Sequence, residues 1–252
     1  MRTLNKVAVI SLLFWLMKIT ATTLGETLGD FISMTLNFGY TVGIFITFLL
    51  FIITISIQLK VKRYIPIVYW LVIVGTTTLG TEISDFIDRT LKTGYLLGSL
   101  LLITGLLATL FLWYRKYKNL EVYPIFEKSK EIYYWIAILF SNSLGTAFGD
   151  FLSDNLGLTY LTGACVTGII ILIVILVHYF TKINHVLLFW IAFVFTRPFG
   201  ATFGDFLTKP ILKGGLDLGT LNASLVSLAL LFLMILISHK EIKNLKSQDQ
   251  IF

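Results

Sequence analysis

The chain has 252 residues, of which 56% are hydrophobic and only 13% are charged, and its mean hydropathy is +0.86. A soluble globular domain carries about 25% charged residues, so this composition excludes an ordinary soluble protein and predicts a membrane protein that crosses the bilayer several times. The net charge of +6 would suit nucleic acid, but the bases lie in alternate loops and the tail rather than in one patch. No nucleic-acid partner is therefore expected.

Cysteine and histidine contribute little to the predicted chemistry. The single cysteine, Cys165, excludes an intrachain disulfide and a cysteine-cluster metal site. His178, His185 and His239 lie near predicted helix ends and share neither a helix face nor a short spacing. A histidine-based zinc site is therefore not expected.

Eight apolar segments follow one another along the chain. Several of them, such as residues 41–59 and 96–114, have the roughly 20 residues needed to cross a hydrocarbon core of about 30 Å. No small-residue cleavage site follows the first segment, so it is predicted to be a retained helix rather than a signal peptide. The predicted helices cover residues 7–35, 39–60, 65–90, 94–115, 132–155, 159–181, 185–208 and 217–238.

One long polar segment, residues 119–131, divides the chain into two halves, residues 1–118 and 132–252. Each half contains two repeats of two helices, which predicts an all-α membrane protein of four tandem repeats. Repeat four has five additional residues in its outer loop, Lys209–Asp217, which we interpret as a longer turn rather than a lid.

The first helix of each repeat carries a Gly-x-x-x-Gly-Asp-Phe stretch, in which Ser84 replaces the second glycine of repeat two. Small residues four apart allow close approach of helix backbones in a membrane. A tryptophan lies fifteen residues before each aspartate, and the four pairs are Trp15/Asp30, Trp70/Asp85, Trp135/Asp150 and Trp190/Asp205. The tryptophans are interpreted as interface anchors or packing residues rather than ligand contacts.

The distribution of basic residues predicts the topology. Fourteen of the 20 bases fall in alternate loops or at the two termini, and the positive-inside rule makes that side cytoplasmic. The opposite side holds only Arg89, Lys92, Lys209 and Lys213. Both termini are then cytoplasmic, and the repeats are parallel, related by an axis along the membrane normal.

This arrangement predicts an acidic site. Fifteen residues of helix span about 22 Å, so the four aspartates should share one depth in the outer half of the membrane and lie close together. Ionisable residues inside a membrane are costly and indicate function. The predicted binding residues are Asp30, Asp85, Asp150, Asp205, Glu26, Glu82, Asn142 and Arg197. Against the six acids stand two intramembrane bases, Lys18 and Arg197, which leaves an interior that favours a cation.

Carboxylate, hydroxyl and amide oxygens are ligands for hard cations, so the four aspartates are predicted metal ligands for Mn²⁺ or Mg²⁺, with Ca²⁺, monovalent ions and protons as alternatives. No other cofactor is expected. Crowded carboxylates also share protons, so the cluster is equally suited to proton coupling. A structural alternative is that each aspartate caps the N-terminus of a short half-helix beyond a break.

The four tandem repeats, with Trp15, Trp70, Trp135, Trp190 and the Gly-x-x-x-Gly-Asp-Phe stretches, resemble a bacterial membrane family known as a repeat of unknown function. The resemblance covers nearly the whole chain. It implies eight helices and a bacterial inner membrane, and it brings no catalytic residues.

The sequence therefore predicts an inner-membrane transporter of a small cation, with efflux of Mn²⁺ or a similar hard metal as the specific hypothesis. The alternatives are a proton-coupled transporter of a small organic or anionic solute, with Arg197 and Lys18 as its charge partners, and a non-transporting membrane scaffold. An enzyme is not expected, because the Gly-x-Gly-Asp sequence of intramembrane aspartyl proteases is missing. The sequence gives no prediction of the oligomeric state.

Overall fold

The structure is a computed structural model that describes the backbone of residues 5–248 and the side chains of residues 5–239. In this part of the chain there are eight α-helices and no β-strand, which confirms the predicted all-α fold. The helices are α1 (Leu12–Asp30), α2 (Gly39–Lys60), α3 (Pro66–Asp85), α4 (Tyr95–Tyr117), α5 (Lys128–Asp150), α6 (Tyr160–Phe180), α7 (His185–Thr208) and α8 (Thr220–Gln248).

The largest differences from the predicted boundaries occur at helix ends on the basic side. Helix α1 begins at Leu12 rather than residue 7, because the Ser11 hydroxyl accepts a hydrogen bond from the Phe14 N–H at 3.2 Å and caps the helix. Helix α5 begins four residues earlier than predicted, and α8 continues ten residues further. The other predicted ends agree with the structure within three residues, apart from the short turns that follow the aspartates.

The helices that carry the aspartates do not break. In repeats one to three the aspartate is followed by a five-residue π-helical turn, at Phe31–Thr35, Phe86–Thr90 and Phe151–Asn155. Those three aspartates have helical backbone angles and their carboxylates cap no N–H group, while Asp205 lies inside the continuous helix α7. The capping alternative is therefore wrong. Single π turns in longer helices are frequent at functional sites.

Helices α1, α3, α5 and α7 form a central bundle in which each helix contacts the next and α7 contacts α1. The glycine five residues before each aspartate determines how closely neighbouring inner helices approach each other. A Cβ atom at Gly25 would lie 2.2 Å from Thr77 Oγ1, and one at Gly200 would lie 2.2 Å from Thr22 Oγ1. The equivalent contacts are Gly80 with Asn142 and Gly145 with Arg197. The same contact, from the glycine of one inner helix to the next inner helix, thus recurs in one direction around the central bundle. The repeats are therefore parallel and related by rotation about a common axis.

The outer helices link neighbouring repeats. Helix α2 packs mainly against α3, α4 against α5, and α6 against α7, while α8 closes the ring against α1. Each outer helix thus covers the inner helix of the next repeat rather than that of its own. A single repeat therefore leaves its own inner helix uncovered, and the four repeats are needed together to complete the bundle.

The helices that face outward have the composition of membrane spans. Within the described residues, six helices are long and apolar enough to cross a bilayer, and the two that fall short are the inner helices α1 and α5. In the most apolar window of α2 only 17% of residues are buried, against 67% in α3. Large apolar side chains such as Phe45, Leu49 and Leu107 are exposed on the outer helices. This surface fits lipid rather than water, so the chain is a membrane protein.

An aromatic layer closes the end of the bundle away from the aspartates. Trp70 and Trp135 are almost fully buried, and each packs edge-on against the tyrosine that precedes it. The hydroxyls of those residues, Tyr69 and Tyr134, are 2.5 Å apart. These tryptophans are therefore packing residues of the interior.

The N-terminal segment and the linker between the halves cover this aromatic layer. The Lys6 ammonium pairs with the buried Glu131 carboxylate, which also accepts a hydrogen bond from Gln58 Nε2 at 2.8 Å. The Lys6 N–H donates to the Ile125 carbonyl at 3.1 Å, and Ile125 is fully buried. The linker is thus part of the packed structure at the basic end of the bundle.

The glycine contacts predict a specific pattern of stability. Gly25→Ala should lower the unfolding temperature in detergent, because its Cβ would lie 2.9 Å from the Thr77 backbone carbon as well as against the side chain. Overpacking of this kind costs roughly 1–3 kcal/mol. Gly75→Ala is the control, since its nearest contact would be an ordinary 3.4 Å and alanine favours a helix. Equal stability of the two variants would contradict the close approach.

Candidate functional site

The four aspartates occupy equivalent positions in the central bundle, and each is almost completely buried. Asp85 and Asp150 share one base, Arg89, which lies one turn after Asp85. Arg89 Nε is 3.1 Å from Asp85 Oδ1, and Nη2 is 3.2 Å from Asp150 Oδ2. At the rim, Asp154 lies 3.8 Å from the same Nη2 atom. The guanidinium therefore bridges an aspartate of its own repeat and the aspartate of the next.

Lys209 makes the same bridge in the other half of the protein. Its ammonium lies 3.1 Å from Asp205 Oδ1 and 2.5 Å from Asp30 Oδ2. Burial acts to lower the pKa of Lys209, but the carboxylates of Asp205 and Asp30 outweigh it and raise the pKa above its ordinary value. Lys209 is therefore a cation throughout the physiological pH range. The two bridges are related by the offset of 120 residues between the halves.

We expected Arg89 and Lys209 on the outer face, apart from the acidic site, and the structure corrects this expectation. The sequence did contain a signal. In repeats two and four a base follows the aspartate by four residues, which puts both side chains on one face of the helix. The same position holds Met34 and Asp154 in repeats one and three. At the position four residues after each aspartate, the fourfold symmetry of the repeats is thus reduced to twofold symmetry.

Arg197 lies on the common axis one turn below the aspartates. Its Nη2 atom donates to Glu26 Oε2 at 2.8 Å, to Thr81 Oγ1 at 2.5 Å and to Thr146 Oγ1 at 2.6 Å. Its Nη1 atom donates to the Thr22 carbonyl at 3.4 Å. The side chain is fully buried and reaches all three other inner helices. A buried ion pair with this many hydrogen bonds compensates much of its desolvation.

Asn142 belongs to a separate polar group nearer the basic end. The Lys18 ammonium donates to Asn142 Oδ1 at 2.9 Å and lies 4.2 Å from the ring centre of Phe193. Asn142 Nδ2 in turn donates to Thr76 Oγ1 at 3.0 Å. Among the described side chains, no carboxylate lies within 4.0 Å of Lys18. Asn142 therefore holds a buried amine rather than joining the aspartates.

Glu82 also lies apart from the aspartate bridges. It is fully buried where α3 meets α2, and a Cβ atom added to Gly43 would lie 2.4 Å from Glu82 Oε2. Only a glycine at that position of α2 leaves room for the carboxyl group. Glu82 was predicted to assist the aspartates, and it lies outside the group of Glu26, Asp30 and Asp205 but near enough for Glu26 and Asp30 to act on its charge.

One group of acids is close enough to share an ion. Carboxylate oxygens of Glu26, Asp30 and Asp205 lie within 4.8 Å of one another, and all three residues are buried. Opposite ligands of a Ca²⁺ ion, each at 2.3–2.6 Å, are up to about 5 Å apart, whereas Mg²⁺ needs about 4 Å. Asp85 and Asp150 are not part of this group. The structure therefore brings two of the four predicted metal ligands, Asp30 and Asp205, together with the predicted binding residue Glu26, and Lys209 lies between the two aspartates.

The charge of the interior differs from the prediction. The six acids face four bases rather than two, because Arg89 and Lys209 join Lys18 and Arg197. For these six predicted acids and four bases alone, the formal balance is minus two instead of minus four, and Asp88 is a further buried acid. Every axial aspartate is in contact with a positive charge supplied by the chain itself.

The histidines also differ from the prediction. The short connection between α6 and α7 brings His178 and His185 together, with their Nδ1 atoms 3.1 Å apart. Both rings lie on the exposed surface at the basic end, remote from the carboxylates. The sequence spacing of seven residues becomes a contact because the chain reverses direction between them.

The contacts of Arg197 predict strong coupling with Glu26. Arg197→Met and Glu26→Gln should each lower stability by roughly 3–5 kcal/mol, because each leaves one buried charge without its partner. The double variant should lose clearly less than the sum of the two single losses. The measurement is a double-mutant cycle on unfolding in detergent. Strictly additive losses would contradict a direct ion pair.

Comparison with known protein families gives a match over most of the chain. No curated protein and no solved structure matches the chain. The model of a family described as Repeat of Unknown Function (DUF347) matches residues 13–64, 68–119, 133–184 and 188–241, so that each match covers one inner and one outer helix. These four matches cover most of the chain, and the protein therefore belongs to the DUF347 repeat family, with four tandem copies of the repeat.

Proposed function

We propose that this protein transports a small hard cation, Mn²⁺ or a similar divalent metal, across a bacterial inner membrane, and that it is a transporter rather than an enzyme. The supporting observation is the position of the Lys209 ammonium between Asp30 and Asp205. A positive group of the chain occupies the place between buried carboxylates where a transported cation would bind. Arg89 does the same between Asp85 and Asp150.

In this proposal the internal base and the transported cation exchange places. Lys209 carries a compact charge on a flexible stem, and its side chain is 19% exposed at the outer end of the bundle. It can therefore withdraw toward that face when a cation arrives. Replacing one positive charge by another avoids leaving buried carboxylates without a partner, which would cost several kcal/mol per ion.

The local charge favours a divalent ion. With Lys209 withdrawn, Glu26, Asp30 and Asp205 carry three negative charges, and Arg197 offsets one of them through Glu26. The remaining two negative charges match one divalent cation. Carboxylate oxygens favour hard ions such as Mn²⁺, Mg²⁺ and Ca²⁺ over soft metals, which prefer sulfur and nitrogen ligands.

The contacts of Arg197 favour a cation over an anionic solute. To bind an anion, its guanidinium would have to be free, yet it is engaged by Glu26, Thr81, Thr146 and the Thr22 carbonyl. We propose that Arg197 fixes Glu26 in place and limits the charge of the site. The excess of bases in the loops at the opposite end supports a cytoplasmic position for that end and for both termini.

The first test is a binding experiment on Lys209. Lys209→Met should strengthen Mn²⁺ binding about tenfold or more, because it removes a charge-assisted bond worth roughly 1.5–3 kcal/mol that competes with the metal. Lys213→Met is the matched control, since it removes the same charge from an exposed position in the same loop. Affinity is measured by titration calorimetry in detergent. Identical affinities for the two variants and the wild type would contradict the competition.

A second test measures flux. Asp30→Asn and Asp205→Asn should abolish Mn²⁺ transport into or out of proteoliposomes, because each removes a ligand charge from the group of three. The Lys213→Met control should transport as the wild type does. Folding is checked by the unfolding temperature of each variant. Normal flux in both asparagine variants would rule out this site.

A further inference from the structure

One buried acid outside the proposed ion site has no hydrogen-bond partner or counter-charge among the described side chains. Glu82 is fully buried, and neither of its carboxylate oxygens has a hydrogen-bond partner among the described residues. An ionised carboxylate in such a place costs several kcal/mol. A buried acid without a donor or a counter-charge therefore takes up a proton instead.

The charged groups around Glu82 act in the same direction. From α1, the acids Glu26 and Asp30 lie near enough to act on its charge, and on its own helix Asp85 follows one turn later. Across the α2 contact stands Gly43, and one turn before it α2 carries Tyr40, an uncharged phenol. The acids around Glu82 would repel a further negative charge at this position.

The nearby bases are engaged elsewhere. Arg89 bridges Asp85 and Asp150. Arg197 reaches Thr81, the residue before Glu82, but its guanidinium pairs with Glu26. Among the described side chains, no base lies within 4.0 Å of Glu82.

One neighbouring hydroxyl is suited to a protonated acid. Ser33 lies beside the Glu82 carboxyl, and its own hydroxyl donates to the Gly29 carbonyl at 2.9 Å. The Ser33 oxygen can therefore accept a hydrogen bond but has no proton left to donate. A protonated Glu82 can donate to this oxygen, whereas an ionised Glu82 receives no proton from Ser33 while Ser33 donates to Gly29.

The fold itself does not require an acid at this position. The equivalent residues of the other repeats are Thr27, Ala147 and Thr202, all neutral and smaller. At the equivalent contact in repeat four, a Cβ atom at Gly163 would lie 3.1 Å from Thr202 Cγ2, so a threonine fills the same space. Glu82 is thus an addition to the repeat rather than part of its packing.

We infer that Glu82 is a proton-binding site, protonated in this structure, that releases its proton when a divalent cation enters the site of Glu26, Asp30 and Asp205. The second half of this inference rests on the proposed function and makes that transport proton-coupled. The O–H bond of Glu82 breaks, the proton passes to water, and the carboxylate remains as an added negative charge beside the bound cation.

The coupling follows from electrostatics and is reciprocal. When a divalent cation replaces the Lys209 ammonium beside Asp30, the positive charge near Glu82 rises by one, which favours the ionised form of Glu82. Ionised Glu82 in turn favours the cation. The sign is therefore fixed: the affinity for the cation rises with pH while Glu82 titrates, by up to about tenfold per pH unit for one released proton.

Infrared spectroscopy tests the protonation by itself, without any transported ion. At neutral pH the wild type should show the carbonyl stretch of a protonated carboxylic acid, and Glu82→Gln should lose intensity from it. Glu82→Thr, which copies repeats one and four, should lose the same intensity and guards against a misfolded glutamine variant. Asp217→Asn, at an exposed loop position where asparagine accepts the positive φ of 55°, is the control and should leave the band unchanged. An unchanged band in both Glu82 variants would overturn the inference, whatever the protein transports.

Proton release on metal binding tests the coupling. Mn²⁺ is added to weakly buffered protein in detergent, and released protons are counted with an indicator dye. Glu82→Gln should still bind Mn²⁺, should release about one proton fewer per ion, and should lose that part of the pH dependence of its affinity. Equal release from the variant and the wild type would overturn the coupling. If the wild type binds no Mn²⁺, Mg²⁺ or Ca²⁺, the proposed function and the coupling both fail, while the infrared result still decides the protonation.

Discussion

The close approach of the four inner helices at their glycines is the constraint on which the rest of the structure depends. At Gly25 and Gly200 no room exists for even one methyl group. Polar side chains on the facing surfaces must therefore bind one another, because little space is left for water. The result is a series of charged contacts along the axis, from Lys18 through Arg197 to the two bridges at the aspartates.

Apart from the aspartates, the residues on which the proposed function depends are not shared by all four repeats. The packing glycines and the aspartates recur in all four repeats and build the bundle. Glu26, Glu82 and Arg197 each occur in one repeat only, and the bridging bases occur in two. The two bridging bases reduce the fourfold symmetry to an approximate twofold symmetry at the aspartates. Glu26, Glu82 and Arg197, which each occur in one repeat, break the twofold symmetry as well. A transporter built this way would distinguish the site near Lys209 from the site near Arg89 by the additional acid, Glu26.

The sequence predicted the fold closely because its signals are periodic and local. The length of the apolar segments predicted eight helices. The recurring glycines and the constant spacing from tryptophan to aspartate, as from Trp70 to Asp85, predicted four parallel repeats. The partners of the aspartates could not be predicted as directly, since they depend on which helix follows which around the ring. Lys209 reaches Asp30 across 179 residues of sequence, and that contact exists only because α7 closes onto α1. The burial of Glu82 with no donor among the described side chains is likewise a property of the assembled α2–α3 contact.

Transport as we propose it requires a divalent cation to replace Lys209 between Asp30 and Asp205. The most direct measurement is a structure of the protein crystallised with saturating Mn²⁺ and recorded at the manganese absorption edge. Our account predicts an anomalous peak among the carboxylates of Glu26, Asp30 and Asp205, with the Lys209 ammonium moved away from both aspartates. A map with no peak there, in which Lys209 still bridges Asp30 and Asp205, would contradict it.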